Sequence, residues 1–252
     1  MSALAFALVF SNACSHPKQA HVTVPPPPAQ STDADSGIPP DVPTGGHSPA
    51  FPSTNVSPTL AEPTIPRGTV ALFSETGLAS WYGPPYHARR GSNGEIYNMH
   101  AMTAAHRTLP LGSIVRVTNL KTNHSALVRI TDRGPFIPGR IIDLSLAAAH
   151  KVDIYQPGVG EVRVEVMQTP SALNSGGKWA VQIGGFPHQD AASELAGRLT
   201  RRYHTAKVLS FASPAGDWWI RVRVLGDDHD RAQQLAAETR TPEGSVFLVR
   251  LD

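Results

Sequence analysis

The chain has 252 residues, enough for one or two domains, and Lys plus Arg (22) nearly balances Asp plus Glu (20). So even a charge argues against a nucleic-acid binder. One cysteine excludes an internal disulfide framework and a thiolate zinc site. The 11 histidines are scattered, and neither metal-ligand spacing, a P-loop, a dinucleotide-binding glycine fingerprint nor a serine nucleophile motif occurs. No cofactor or metal is expected.

In chain order, residues 1–14 come first. An apolar run from Ala3 to Phe10 leads through Ser11-Asn12-Ala13 to Cys14. This resembles a bacterial lipoprotein signal cleaved before Cys14, with lipid on the cysteine sulfur. The run is too short to span a bilayer. The other reading is an ordinary N-terminus with a free thiol. Residues 15–75 are rich in Pro, Ser, Thr and Ala, with Pro25 to Pro28 in one run, and lack a hydrophobic period. Such a segment buries too little apolar surface to offset its conformational entropy, so a disordered tether is expected.

Residues 76–168 change character. Short β-type runs at Ile114 to Thr118, Ala126 to Thr131 and Gly160 to Val166 alternate with turns rich in Gly, Pro and Asn. The pattern predicts a mostly β domain with one short helix. A second linker covers 169–177. Over 178–252 the expected order is strand Trp179 to Phe186, helix Asp190 to Tyr203 with Asp190 as N-cap, and strands Ala206 to Phe211 and Trp218 to Leu225. Helix Asp230 to Thr239 and strand Ser245 to Leu251 complete a βαββαβ sandwich.

The motifs SWYG, NGE.Y, TAAH..LP.G, VRVTN, DRGPF and GR.IDLS occur in that order within 76–168. Together they resemble the rare lipoprotein A family, septal-ring lytic transglycosylases built on a double-psi β-barrel. VQIGGF at Val181 to Phe186 resembles the opening of the SPOR domain, a peptidoglycan-binding module, with Gly185 where Ser is usual. The fold class implied is mainly β plus α+β: a double-psi barrel and then a SPOR-like sandwich.

Cleaving a glycosidic bond requires a proton donor at the leaving oxygen and negative charge near the ring. A lytic transglycosylase manages with one acid/base group, because the muramic acid 6-hydroxyl replaces water and closes a 1,6-anhydro ring. Six acidic residues lie in 76–168: Glu95, Asp132, Asp143, Asp153, Glu161 and Glu165. By resemblance, Asp132 of DRGPF is the catalytic acid; read alone, it could simply hold its turn. Arg133 could bind a substrate carboxylate or act on Asp132. The resemblance places Glu95 and His106 in the cleft, with His106 orienting Asp132 or Glu95. Asn98 stands where the family commonly has Asp, which removes one charge. Asp143 is either catalytic or the cap of the helix that follows, with Ser145 competing for the cap. Trp81 and Tyr82 serve as a sugar platform or as core. In the last domain Gln182 and Trp218 are the glycan-binding candidates, on the view that one of Trp218 and Trp219 faces out.

The resemblance implies an envelope protein that is lipid-anchored through Cys14, at the outer membrane if the cell has two. Its partners would be peptidoglycan strands, preferably stripped of stem peptides, and division-site proteins. A non-catalytic, expansin-like wall-binding barrel is the rival from another class. A two-carboxylate hydrolase is the third reading.

Overall fold

The computed structural model describes residues 60–252 except 174, 205–206, 214–215 and 242–243. The signal, Cys14 and most of the Pro-rich stretch lie outside the described residues. Among the described residues, no helix is long and apolar enough to cross a membrane.

Six strands form a closed barrel: β1 (Phe73–Trp81), β2 (Thr103–His106), β3 (Ile114–Asn119), β4 (Ser125–Asp132), β5 (Arg140–Leu144) and β6 (Val159–Gln168). Their order around the barrel is β1-β5-β2-β4-β3-β6. β1 runs parallel to β5 and β2 parallel to β4, and the other pairs are antiparallel. Closure removes exposed edges, and strict alternation fills the interior. Along β6, Val162, Val164 and Val166 are fully buried while Glu161 and Arg163 point out. Val115, Val117, Val128, Ile130, Ile142 and Leu144 complete the core. Fully burying one such side chain is worth about 1.5–3 kcal/mol, and a charge at Val164 would add the larger cost of an unpaired buried ion, so it should destabilise the barrel strongly.

The short helix is α1 (Leu146–Lys151), whose Ala148 and Ala149 pack into the barrel core. Ser145 is its N-cap, accepting from Ala148 N at 3.2 Å and donating to the Ala101 carbonyl at 2.7 Å. Asp143 is therefore not the cap. It stays in β5, two residues earlier.

The C-terminal module has β7 (Trp179–Phe186), α2 (Gln189–Arg202), β8 (Lys207–Ala212), β9 (Trp218–Arg223), α3 (His229–Glu238) and β10 (Ser245–Arg250). Its antiparallel sheet has the order β10-β7-β9-β8. Ala192, Leu195 and Leu199 make the buried stripe of α2, and Ala232 and Leu235 that of α3. Both helices cover one face of the sheet, against Val181, Ile183, Ile220 and Val222. Asp190 does not cap α2: the N-cap is His188, without a side-chain bond, and Asp190 sits in the first turn, where its charge suits the helix dipole. Asp228 caps α3 by accepting from Arg231 N at 2.9 Å. Gly184 has φ +153, and a Cβ there would meet the Trp218 carbonyl at 2.8 Å, so only glycine lets β7 pass β9.

The second face of this sheet meets the barrel. Phe136 packs on Trp219 and Phe247, with ring centroids 5.3 and 5.7 Å apart. Arg250 N donates to the Arg107 carbonyl at 3.0 Å, and Leu111 N to the main-chain oxygen of Asp252 at 3.1 Å.

Candidate active site

Strand register builds the site. Ala105 on β2 pairs with Asp132 on β4 and with Asp143 on β5, and Asp143 pairs in turn with Ser80 on β1. A row Ser80–Asp143–Ala105–Asp132 thus crosses four adjacent strands. Neighbouring strands lie about 4.8 Å apart, which puts the two aspartate Cα atoms roughly 10 Å apart. Register shifts at Leu78/Ala79 and Ala104/Ala105 help set this alignment, a common use of bulges near functional sites. All four residues line one cleft of about 590 Å3.

Asp132 is anchored through one oxygen. Oδ1 accepts from Ser92 N at 3.0 Å, Ser92 Oγ at 2.5 Å and Arg133 N at 2.8 Å. Oδ2 has no protein donor among the described residues. A carboxyl held in this way keeps one oxygen for a ligand. Asp143 is the more buried of the pair; Ser80 Oγ donates to its Oδ1, and Arg140 Nε stands 3.9 Å away. Burial raises its pKa above the usual aspartate value, against the opposing pull of Arg140, Ser80 and Arg107. Between the two, Ala105 is small enough to leave the cleft open. Gly134, at φ +142, a backbone conformation that L side chains rarely adopt, carries the loop past Ala105 and Asp143.

Tyr82, Tyr86 and Tyr97 form an aromatic wall. Tyr82 stacks on Tyr97 at 4.3 Å and meets Tyr86 edge-on at 5.9 Å. Burial pushes the Tyr82 phenol well above its usual pKa. Trp81 lines the cleft but leans on Tyr155 at 5.2 Å and joins the barrel core, so it serves both purposes.

Several expected site residues lie elsewhere. Glu95 is outside this cleft, locked in a bidentate pair with Arg129 at 2.9 and 2.7 Å that lowers its pKa. Asn98 borders only a small side pocket and accepts from His100 N at 2.9 Å. The partner of His106 is neither Asp132 nor Glu95 but Glu75, at 2.9 Å. Thr108 N and Leu109 N both donate to His106 Nδ1, so Nε2 carries the proton toward Glu75. Burial lowers its pKa despite Glu75, and the ring is a neutral structural hub. The Arg133 guanidinium donates through Nη1 to the carbonyls of His106 and Leu109 at 3.0 and 2.8 Å and through Nη2 to that of Asp252 at 2.7 Å, while its buried Nε has no partner among the described residues. Burial brings its pKa down to about 10. Trp218 turns toward the helices, whereas Trp219, with Gln182, lines the cleft. Asp153, Glu161 and Glu165 are outside the cleft lining, with Asp153 paired to His124 and Glu165 to Arg116 and Arg163.

Sequence reasoning did not single out Ser80, Tyr86, Ala105, Arg140 or Arg221, and it weighed Trp219 only as the alternative to Trp218. Only the parity of β9 could have offered Trp219 and Arg221 as a same-face pair.

A closed mixed barrel with two carboxylates in an aromatic-walled cleft, joined to a helix-backed sheet, defines a two-module protein with a cleft on the barrel. Residues 74–164 match the lytic transglycolase family of double-psi barrels, and 175–247 match the SPOR domain. Both matched segments agree with the resemblance to the rare lipoprotein A family. It is 44% identical over 151 residues to a Helicobacter pylori protein named endolytic peptidoglycan transglycosylase RlpA, covering 49% of this chain and 48% of that one. The Vibrio cholerae protein of that name is 46% identical over 134 residues, 50% and 51% of the two chains. That of Pseudomonas aeruginosa is 38% identical over 155 residues, 62% and 46%. The chain spans about half the length of these relatives.

Proposed function

We propose that the protein is an endolytic peptidoglycan lytic transglycosylase, cleaving MurNAc–GlcNAc bonds to 1,6-anhydro ends. The observation that carries this is the row that sets Asp132 and Asp143, alone among the six acidic residues of 76–168, in one sugar-sized cleft. Asp132, through its open Oδ2, donates a proton to the leaving oxygen and then takes one from the muramic acid 6-hydroxyl. Asp143, with its raised pKa, sits on the other side of the ring and shares in proton handling. The tyrosine wall orients the sugar. Stripped glycan strands are the preferred substrate, the division septum is the setting, and lipid on Cys14 holds the protein in the envelope. The names and domains of the relatives support this reading.

Incubating purified sacculi, with and without stem peptides, and weighing the products tests it. Anhydro ends from the wild type, lost in Asp132→Asn, are expected. Two carboxylates in one cleft also suit a hydrolase, whose products would carry reducing ends. Glycan binding with no cleavage would identify an expansin-like binder. Labelled fatty acid in the wild type and none in Cys14→Ala checks the anchor.

A further inference from the structure

One piece of the barrel beside the cleft has no task in the lyase reading: the turn over residues 91–95, which carries Glu95. It folds back on itself. Gly91 N donates to the Glu95 carbonyl at 2.8 Å and Gly94 N to that of Gly91 at 3.0 Å, while Asn93 Oδ1 accepts from Glu95 N at 3.0 Å. Arg90 and Ile96 close its base as a single antiparallel bridge. The turn is then fixed to β4 at three points. The Glu95 carboxylate takes the Arg129 guanidinium with two bonds, and Asn93 N donates to the Thr131 carbonyl at 3.2 Å. The third point is Ser92, whose N and Oγ reach Asp132 Oδ1 at 3.0 and 2.5 Å. Attachment at 129, 131 and 132 of one strand leaves the turn little freedom relative to the carboxyl.

The two oxygens of Asp132 are treated differently. Oδ1 accepts three donors, the last being Arg133 N at 2.8 Å. A carboxylate oxygen offers about two lone-pair directions, so Oδ1 is saturated and a proton placed there would displace a donor. On the side of Oδ2 lies Gly91, where an added Cβ would stand 3.6 Å from Oδ2 and 3.4 Å from the Thr131 carbonyl. The same turn fills one oxygen and keeps the other clear. Ser92 is exposed, so its hydroxyl serves Asp132 and not the packing of the barrel.

We propose that the 91–95 turn is a positioning device for Asp132, in which the Ser92 hydroxyl fixes Oδ1 as an acceptor and so confines the exchanged proton to Oδ2. This rests on the lytic transglycosylase reading and deepens it. The O–H bond at Oδ2 breaks as its proton passes to the leaving oxygen and the glycosidic bond opens. Oδ2 then takes the proton of the muramic acid 6-hydroxyl as that oxygen bonds to the anomeric carbon. One oxygen performs both steps, and the carboxyl need not rotate between them. Ser92 is a positioning residue that acts through Asp132. Glu95 acts one step further back, by holding the turn on Arg129.

The test uses the full chain on soluble strands of alternating GlcNAc and MurNAc, with product ends read by mass. Ser92→Ala should lower kcat about 10-fold with KM and melting temperature unchanged, the lower end for a hydrogen bond to a charged group, because two main-chain donors stay on Oδ1. Ser92→Thr keeps the hydroxyl and should recover most of the loss. Gly91→Ala leaves every donor on Oδ1 and sets a methyl beside Oδ2. The Gly91 backbone is outside the left-handed region and the contacts are of ordinary length, so alanine fits. Its kcat should fall at least as far. Wild-type kcat in Ser92→Ala overturns the inference, and so does a Ser92→Thr variant no better than Ser92→Ala. A change confined to KM would make Ser92 a substrate contact instead. Full turnover in Gly91→Ala beside a loss in Ser92→Ala would overturn the assignment of Oδ2. Reducing ends from the wild type, with the same fall in Ser92→Ala, sink the lyase reading and uphold Ser92; anhydro ends undiminished in Ser92→Ala do the reverse. A wild type that cleaves nothing sinks both.

Discussion

The barrel and the C-terminal module both present polar groups to one cleft, but they place them by different means. In the barrel, Ser80, Asp143, Ala105 and Asp132 come from four strands, with Ser80 and Asp143 63 positions apart in the chain, aligned only by pairing register. In the module, Trp219 and Arg221 come from a single strand, aligned by simple alternation. A site built by register is distributed, and a one-residue slip would disperse it. A site built by alternation survives as long as its strand does. Substitutions in the barrel row should therefore harm chemistry while leaving the module's wall in place.

The largest effect should come from the barrel row. Asp132→Asn keeps shape but cannot ionise, so anhydro-product formation should fall by about 10²–10⁴-fold with the melting temperature retained. Wild-type turnover in this variant would move the acid to Asp143. Ala105→Leu probes the same row without touching a charge. It should fill the gap between the carboxyls and cost about 1–3 kcal/mol by overpacking, visible in urea titration. Turnover at the wild-type rate would show that the gap is not where sugar sits.

His106 separates the two kinds of role. His106→Ala strips an acceptor from Thr108 N and Leu109 N and a donor from Glu75. Leaving such groups unsatisfied costs about 1–3 kcal/mol. The expected signature is a lowered melting point with the pH profile of turnover unmoved at temperatures where the variant stays folded. A shifted profile instead would return His106 to the chemistry.

The fold was largely legible in the sequence, because alternation in β3, β4, β6 and β9 and the helical stripes of α2 and α3 are local signals. The strands β1, β2 and β5 were not: TAAH carries no alternation, and GRIIDL reads equally well as a turn. The site was half legible. Asp132 and Asp143 stood out as acidic residues in motifs, yet nothing along the chain shows that Ala105 pairs with both. Glu95 and His106 looked catalytic because their partners, Arg129 and Glu75, are 34 and 31 residues away. Choosing Trp218 over Trp219 was a question of parity that one sequence leaves open, since it depends on which face the helices cover.

Asp143 gives a pH test of burial. Its folded pKa is raised, so the stability it contributes is fully present below the unfolded value of about 3.9 and is lost as pH rises through the folded value. Asp143→Asn does not ionise and escapes that loss. Relative to the wild type, the variant should therefore gain stability as pH rises above about 4. A difference independent of pH above that point would show that Asp143 ionises as freely as an exposed aspartate.

The smallest effects concern the helix starts, where the comparison between the two regions can be repeated at low cost. Ser145 and Asp228 both cap, but Ser145 is buried and its hydroxyl also donates to Ala101, whereas Asp228 accepts a bond at the surface. Losing a surface cap costs about 1 kcal/mol, so Asp228→Ala should lower stability by that much in urea titration. Ser145→Ala leaves the Ala101 carbonyl without its donor as well and should cost about twice as much. Asp190→Ala, in the first turn of α2 with no capping bond, removes only a favourable interaction with the helix dipole, about 0.3–1 kcal/mol at low salt and less as salt rises. A larger and salt-independent loss at Asp190 would mean that it caps α2 after all. Equal losses at Ser145 and Asp228 would show that the buried second bond of Ser145 adds nothing, and that the barrel's lone helix is held no more tightly than those of the module.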